Sequence, residues 1–393
     1  MTSERREIQS VRSTIMRGGT SRAVFIRQSD LPEDREAREQ AILSVFGSPD
    51  RRQIDGVGGA DPLTSKLAII GPPLEDEPRA EATHLTYTFG QVEIDRPEID
   101  WHSLCGNISS AVGLFAVQEG MVAATDPVTS VRVFNTNLAR VLTIEVPTQG
   151  GQPVERGDHV VPGVPGSGAP ILIDFADTAG GATGALLPTG SAVDLLEIPG
   201  HGTIEASLVD IGNAHVFIRA GDVGLTGTES AAAIDGDLPL RAKLEAIRGV
   251  AAHRMGMISA PEKSAEESPA TPLLGMIGPP QSYRDDLRGQ QVDESEVDLV
   301  SRLMFMQQLH KTYAATSTVC TGVAARLPGT IVNQLARATG RQEVRIGHPA
   351  GVIVTQTVVE RSGDEFAVKR ATLSRTARRI MDGIVYLPEQ EPA

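Results

Sequence analysis

Short runs that alternate with period two, or that crowd β-branched residues together, recur along the chain: "RAVFIRQ", "KLAIIGP", "LTYTFGQVEID", "SVRVFNTN", "RVLTIEVP", "PILIDF", "TIEASLVDIG", "AHVFIRA", "GVIVTQTVVE" and "EFAVKRATLSR". This is the pattern of strands with at least one buried face. Gly, Pro, Asn and Asp punctuate the runs, and many links between them are short and polar. Antiparallel hairpins and meanders are therefore expected rather than a strict βαβ alternation. Two other stretches are apolar on every side, one over about 107–119, ending at Gly120, and one over about 317–326, stopping before Pro328 and Gly329. A helix without a polar face must be enclosed by protein. One such helix per half, each among strands, predicts an α+β fold of two pseudo-symmetric lobes, each a β-barrel-like sheet wrapped around a central helix.

Regular charge marks residues 32–47, 238–257 and 297–313 as peripheral helices, and the acidic, Pro-rich segment 259–296 as surface. The Gly-rich "DTAGGATGALLPTGS" at 177–191 divides the chain into lobes 1–190 and 191–375, with a site expected in the cleft between them. Two domains also suit a length of 393 residues, more than one hydrophobic core usually supports.

Charge and cysteine usage narrow the partners. With 36 basic against 50 acidic residues the net charge is −14, which disfavours nucleic acid and anionic membranes. Aromatics at 4% leave little on which bases could stack. A small anion stays compatible if its site carries its own donors. Two cysteines cannot build a disulfide framework, so a cytoplasmic location is expected. The opening "MTSERREIQSVRSTIMRGGTS" lacks the apolar core of a signal peptide, and no window approaches the ~18 apolar residues of a membrane span.

Four segments concentrate candidate chemistry. In "MRGGTSR", Gly18 and Gly19 followed by Thr20 and Ser21 either present several N–H groups to one anion, with Arg17 beside them, or form a tight turn into a strand. The GK[ST] ending of a P-loop is absent. In "GVGGADPLTSKLAII", Lys66 opens an apolar strand directly after Ser65; the bland alternative is a solvated lysine at a strand edge. In "DWHSLCGNISSAVGLFAVQEG", Cys105 stands where the first buried helix begins and faces the positive end of its dipole. The N–H groups of Gly106 and Asn107 point the same way, ready for a carboxylate; an inert core thiol is the alternative. The fourth group is "DIGNAHVFI", "YAATSTVCTGVAA" and "RIGHPAGV". Asn213 and His348 are candidate substrate donors there, while Cys320, inside the second helix, belongs to the core. His215 and His348 lack metal-ligand spacing, and no metal is expected.

At these residues the chain resembles a known family. "IMRGGTSRAVFI", "QIDGVGGADPLTSK", "TFGQVEIDRPEIDWHSLCGNISSAVGLFA", "LLPTG", "IPGHGTIEASLVDIGN", "LPGTIVNQLA" and "GHPAGV" closely resemble the PrpF family, in order over nearly the whole chain. Its members are isomerases and tautomerases of unsaturated acids such as 2-methylaconitate, methylitaconate and 4-oxalomesaconate. "CGN" and "GNAH" more distantly resemble the CGN and GNPH motifs of diaminopimelate epimerase, which implies the diaminopimelate epimerase-like fold, a last strand (376–393) returning to the first lobe, and frequent pairing as a homodimer. Epimerases of that type oppose two cysteines. Cys105 matches the first and Ala315 stands for the second, which disfavours a symmetric racemase. Arg22 stands where many members have Lys, and the hairpin around "GPPLEDEPRAEA" is longer than usual.

The resemblance implies that Lys66, in the matching "TSK", is the base that removes an allylic proton, and that Cys105 is the proton donor or a polar wall opposite it. A basic lysine must be neutral, held so by desolvation and by the neighbouring Arg17. Backbone N–H groups at Gly18, Gly19, Gly106 and Asn107 would hold a polycarboxylate, with Thr20, Ser21, Ser65, Asn213 and His348 as side-chain donors. Hydrogen leaves and returns as a proton, so no cofactor is expected. The competing readings are an amino-acid racemase and a carboxylate-binding protein without turnover.

Overall fold

The computed structural model describes residues 10–388 apart from 78–79, 339 and 363–364. Part of the long hairpin and the end of the chain, 389–393, lie outside the described residues. The other elements are built twice, on one plan. In the first half Ser10–Gly18 pairs antiparallel with Ser21–Arg27, which pairs parallel with Lys66–Gly71. That strand pairs antiparallel with Leu85–Val92, which pairs parallel with Val128–Asn135, which in turn pairs antiparallel with Arg140–Gln149. The second half repeats the same order of pairings from Gly202–Ile211 through Asn213–Arg219, Leu273–Gly278, Leu299–Phe305 and Glu343–His348 to Gly351–Ser362.

The strands of each half wrap a buried helix. Every residue of Gly106–Gln118 up to Val117 is enclosed, and every residue of Ala315–Ala324. Each Val, Leu or Ile so enclosed contributes about 1.5–3 kcal/mol, and no polar face competes for solvent. Glycines let the strands close in: a Cβ on Gly113 would lie 2.4 Å from Ile144 Cγ2, and one on Gly322 would lie 2.3 Å from Thr355 Cγ2. This is the α+β architecture of two helix-wrapping halves expected from the pattern of apolar positions, and the diaminopimelate epimerase-like fold that the resemblance implies.

The halves are stitched together. Glu365–Arg375 pairs both with Gly351–Ser362 and with Ile171–Asp174 of the first half. Ala377–Tyr386 then runs antiparallel along Ser10–Gly18, from Gly18 opposite Ala377 to Ser10 opposite Tyr386. Among the described residues no helix is long and apolar enough to cross a membrane.

Two expectations are corrected. Residues 297–313 do not form a peripheral helix but the central strand Leu299–Phe305 and the short Gln308–Leu309. Both faces of that strand are covered, so Arg302 is fully buried, donating to the carbonyl oxygens of Glu229 and Ser301, and its charge misleads as a sign of exposure. The segment 259–296 is not wholly surface either. Its apolar "LLGMIG" is the fully buried strand Leu273–Gly278, between Asn213–Arg219 and Leu299–Phe305.

Candidate active site

Lys66 is the first residue of a strand buried at every position. Its register partner is Gln91, so both side chains share one face, and Lys66 Nζ donates to Gln91 Oε1 at 2.5 Å. The Gln91 amide is locked by donating to the carbonyl oxygens of Pro62 and Ser65, both at 3.1 Å, which leaves its oxygen for the lysine. The rings of Phe89 and Phe305 lie 5.3 and 5.2 Å from Nζ. Burial pushes the lysine pKa down, against the opposing charges of Cys105 and Asp61. The rings and the amide oxygen favour the ammonium, and it is desolvation that shifts the group towards the neutral amine.

Cys105 is the residue that precedes the first core helix, in extended conformation. The segment before it is clamped from the other half of the chain: Asn213 Oδ1 accepts from Leu104 N at 2.8 Å, while Asn213 Nδ2 donates to Leu104 O at 2.8 Å and to Thr316 Oγ1 at 3.2 Å. The first helical bond is Ser109 N to Cys105 O, so the N–H groups of Gly106, Asn107 and Ile108 precede the ladder. At the second core helix the first bond is Thr318 N to Ala314 O. The two helix starts meet closely, since a Cβ on Gly106 would lie 2.9 Å from the Cβ of Ala315. Between them is a narrow cavity of about 30 Å³.

The duplicated plan shows what is asymmetric about this cavity. Leu273 holds the place of Lys66, Phe305 that of Gln91 and Ala314 that of Cys105, and all of these but Gln91 line it. The lysine and the thiol come from one half, and Leu273, Phe305 and Ala314 stand in the equivalent places of the other. The residue opposed to Cys105 at the helix start is Ala314, one position before the expected Ala315.

Of the residues singled out from sequence, Lys66, Cys105, Ser21, Gly106, Asn107 and Asn213 line this cavity together. Six others do not. Arg17 Nη1 donates to the carbonyl oxygens of Gly19 and Thr376 and to the Thr376 hydroxyl, and no arginine charge is among the influences on Lys66. Burial, not Arg17, depresses that lysine. Gly19 N donates to Thr376 O at 2.9 Å, so it is already engaged. Gly18 and Gly19 instead permit contact: a Cβ on either would lie 2.3 Å from Asn107, at the backbone oxygen and at Oδ1 respectively. Thr20 Oγ1 accepts from Asn107 Nδ2 at 3.0 Å. Ser65 Oγ accepts from Gln53 Nε2 at 2.7 Å, behind the lysine. His348 is buried on the strand end, with Nδ1 accepting from Ala350 N at 3.1 Å. Asn213 lines the cavity, but both its amide hydrogens are taken; it positions Leu104 rather than donating to a ligand.

Sequence reasoning missed Gln91, His310 and Arg375. Gln91 alternates with Phe89 in a recognised strand, and the register opposite Lys66 was its only signal. His310 lines the cavity; burial first and the Lys66 charge second push its pKa down to about 4. It was hidden, like Phe305, by the helical reading of 297–313. Arg375 is 2% exposed, and its Nε donates to Asn107 Oδ1 at 2.8 Å, so the Asn107 amide can only turn its nitrogen to Thr20 and Ser21. Burial lowers its pKa to about 9, against the charge of Cys105. Among the described residues no cluster of three or more His, Cys, Asp or Glu side chains is placed to hold a metal.

Comparisons with known proteins place nearly the whole chain beside one family. The model of the PrpF protein family matches residues 8–388. The 3-methylitaconate isomerase of Eubacterium barkeri is 50% identical over 374 residues, covering 95% of this chain and 96% of that one. The 2-methyl-aconitate isomerase of Shewanella oneidensis is 38% identical over 393 residues, covering 96% and 97%. The crystal structure of a methylitaconate-delta-isomerase superposes with a TM-score of 0.80 at 48% identity, over 97% of this chain and 96% of that one.

Proposed function

The chain belongs to the PrpF family and is an isomerase; from that premise we propose that it shifts the double bond of a small unsaturated di- or tricarboxylic acid, of the methylitaconate or 2-methylaconitate type, by allylic proton transfer without a cofactor. Lys66, as a neutral amine, takes the proton from the allylic carbon and becomes an ammonium. The electron pair enters the conjugated system as a dienolate, and the proton returns to the other end of that system, reforming the neutral amine. Gln91 Oε1 holds one N–H throughout and so fixes where the lone pair points. Cys105 and the N–H groups of Gly106 and Asn107 face the charge as it develops on the substrate oxygens. His310, neutral at pH 7, supplies a polar contact from the other half.

The observation that carries this reading is the one-sided cavity: a desolvated lysine and a thiol opposite Leu273, Phe305 and Ala314. A racemase needs an acid–base group on each face of one carbon; here the places equivalent to Lys66 and Cys105 are held by the hydrocarbon side chains of Leu273 and Ala314, and the titratable side chain the other half brings to the cavity among the described residues is His310. A base that removes and returns a proton on one face suits migration of a double bond. The 50% identity with 3-methylitaconate isomerase favours a methyl-bearing dicarboxylic acid within the class. At about 30 Å³ the cavity holds one or two waters, so the halves, 1–190 with the last strand and 191–375, part to admit substrate and close on it. The reaction belongs in the reducing cytoplasm, where Cys105 stays a thiol. A homodimer is checked by sedimentation velocity.

The test is a proton-NMR screen of methylitaconate, 2-methylaconitate, cis-aconitate and 4-oxalomesaconate in D₂O. A displaced or inverted double bond with deuterium at an allylic carbon supports the proposal. Deuteration of an amino-acid Cα, or binding without exchange, overturns it.

A further inference from the structure

Arg375 has a second face. Its Nε is bound to Asn107 and its Nη1 donates to Ser374 O at 3.0 Å, while Nη2 has no hydrogen-bond partner among the described residues. No carboxylate among the described residues pairs with the guanidinium, which is 2% exposed. A buried cation without a counter-charge is costly and stands ready for an anion. The residue does not line the Lys66 cavity. It lines a different cleft of about 260 Å³ at the seam of the two halves, between the loop 159–162 with Leu172 and the sheet of Gly351–Ser362 and Glu365–Arg375.

That cleft carries further polar groups. Thr372 lines it, and its Oγ1 is buried without a partner. Gln356, Ser374 and His159 border it, and burial pushes the imidazole pKa below its ordinary value. Glu343, exposed at the rim, is the one carboxylate in the lining among the described residues, which favours an anion bound deep, at the arginine. An apolar guest would leave the guanidinium edge and the threonine hydroxyl unanswered.

We propose that this seam cleft is a second site for a small carboxylate, which engages the unbonded edge of Arg375 and the Thr372 hydroxyl and acts on the catalytic helix start through the Arg375–Asn107 bond. A carboxylate at Nη2 draws the guanidinium towards the cleft and lengthens the bond to Asn107 Oδ1. The freed amide changes how the start of Gly106–Gln118 presents its N–H groups to the acid in the main cavity. The binding stands without the isomerase reading; only the coupling rests on it.

Isothermal titration with tricarballylate, a saturated tricarboxylate without an allylic double bond, tests the site in the full-length protein, in T372V and in V354E. Val354 is a cleft residue 41% exposed, where a carboxylate repels an incoming anion. Compared with the unsubstituted protein, both variants are expected to weaken one binding event at least tenfold. Their thermal midpoints and basal turnover should be kept. Equal stoichiometry and affinity in all three proteins overturns the proposal. If V354E does not fold, T372V alone decides the same comparison. Failure of the isomerase reading shows separately, as absence of turnover with the lost binding event still measurable. Arg375→Lys keeps the charge and removes the Nε bond; it should retain the second binding event while abolishing any effect of its occupancy on KM. An effect on KM that persists in that variant overturns the coupling.

Discussion

Lys66 and Leu273 occupy one and the same place in the two halves: each begins the strand that pairs parallel with the preceding hairpin, Lys66 opposite Ala23 and Leu273 opposite His215. Both line one cavity, so the duplicated fold places an ionisable group at one of two equivalent positions where a symmetric enzyme would have both. Lys66→Met is therefore expected to lower kcat by about 10²–10⁴-fold, with little change in thermal stability, because the methionine fills the same slot. Turnover within twofold of the unsubstituted enzyme would remove Lys66 from the mechanism.

Gln91→Glu replaces the neutral acceptor by a carboxylate at the same position. A negative charge beside Nζ favours the ammonium, so the lysine pKa rises and the neutral base is lost at pH 7. Activity is expected to fall at neutral pH and to recover as pH is raised, moving the ascending, acid-side limb of the rate profile to higher pH. A profile parallel to that of the unsubstituted enzyme would show that Gln91 does not set the lysine's charge.

Gly19 has φ +49°, and a Cβ there would sit 2.3 Å from Asn107 Oδ1 and 2.9 Å from Arg375 Cδ. Gly19→Ala therefore adds left-handed strain of about 1–2 kcal/mol and separates Asn107 from Arg375. The expected result is a lower urea midpoint together with a raised KM. Turnover should fall further than in a control substitution at exposed Gly221, where a Cβ meets nothing within 4 Å.

Stability should fall on the acid side. Burial holds His215 and His310 at about 4, below the ordinary 6.5. Below pH 6.5 the unfolded chain binds protons that the folded protein accepts only near pH 4. Unfolding free energy is thus fully present above about pH 6.5 and declines as pH drops towards 4. At about 1.4 kcal/mol per pKa unit, each histidine removes roughly 3 kcal/mol by pH 4. Urea midpoints at pH 7, 6 and 5 should decrease in that order, and His215→Asn should flatten the slope.

Asn213→Ala removes three hydrogen bonds that join Leu104 to the start of the second core helix. At about 0.5–1.5 kcal/mol each, with a buried N–H and C=O of Leu104 left unpaired, the loss should reach a few kcal/mol. Cys105 should then become more accessible to an alkylating reagent, read by mass spectrometry. Unchanged alkylation would show that Asn213 does not hold the thiol's segment in place.

Much of this was legible in the chain. The strands read correctly where one face was polar and the alternation visible, as in the run that became Val128–Asn135. Both core helices were legible because no polar stripe interrupts them. The "TSK" and "CGN" segments identified Lys66 and Cys105 as candidates. The strand Leu299–Phe305 was not legible, because burial on both faces erases the period-two contrast and Arg302 reads as solvent-facing. With it went Phe305 and His310, which line the cavity.

What the residues determined alone is local: which faces are apolar, where helices begin, and which thiol and amine have small neighbours. Each of these follows from the few residues on either side. What only the tertiary structure decided is which distant groups meet. Arg375 reaches Asn107 across 268 positions, Asn213 reaches Leu104 across 109, and Gln91 faces Lys66 through strand register. Those meetings are set by the pairing of strands far apart in the chain, where no local pattern carries the register, and they settle which donors are already engaged and which face the cavity.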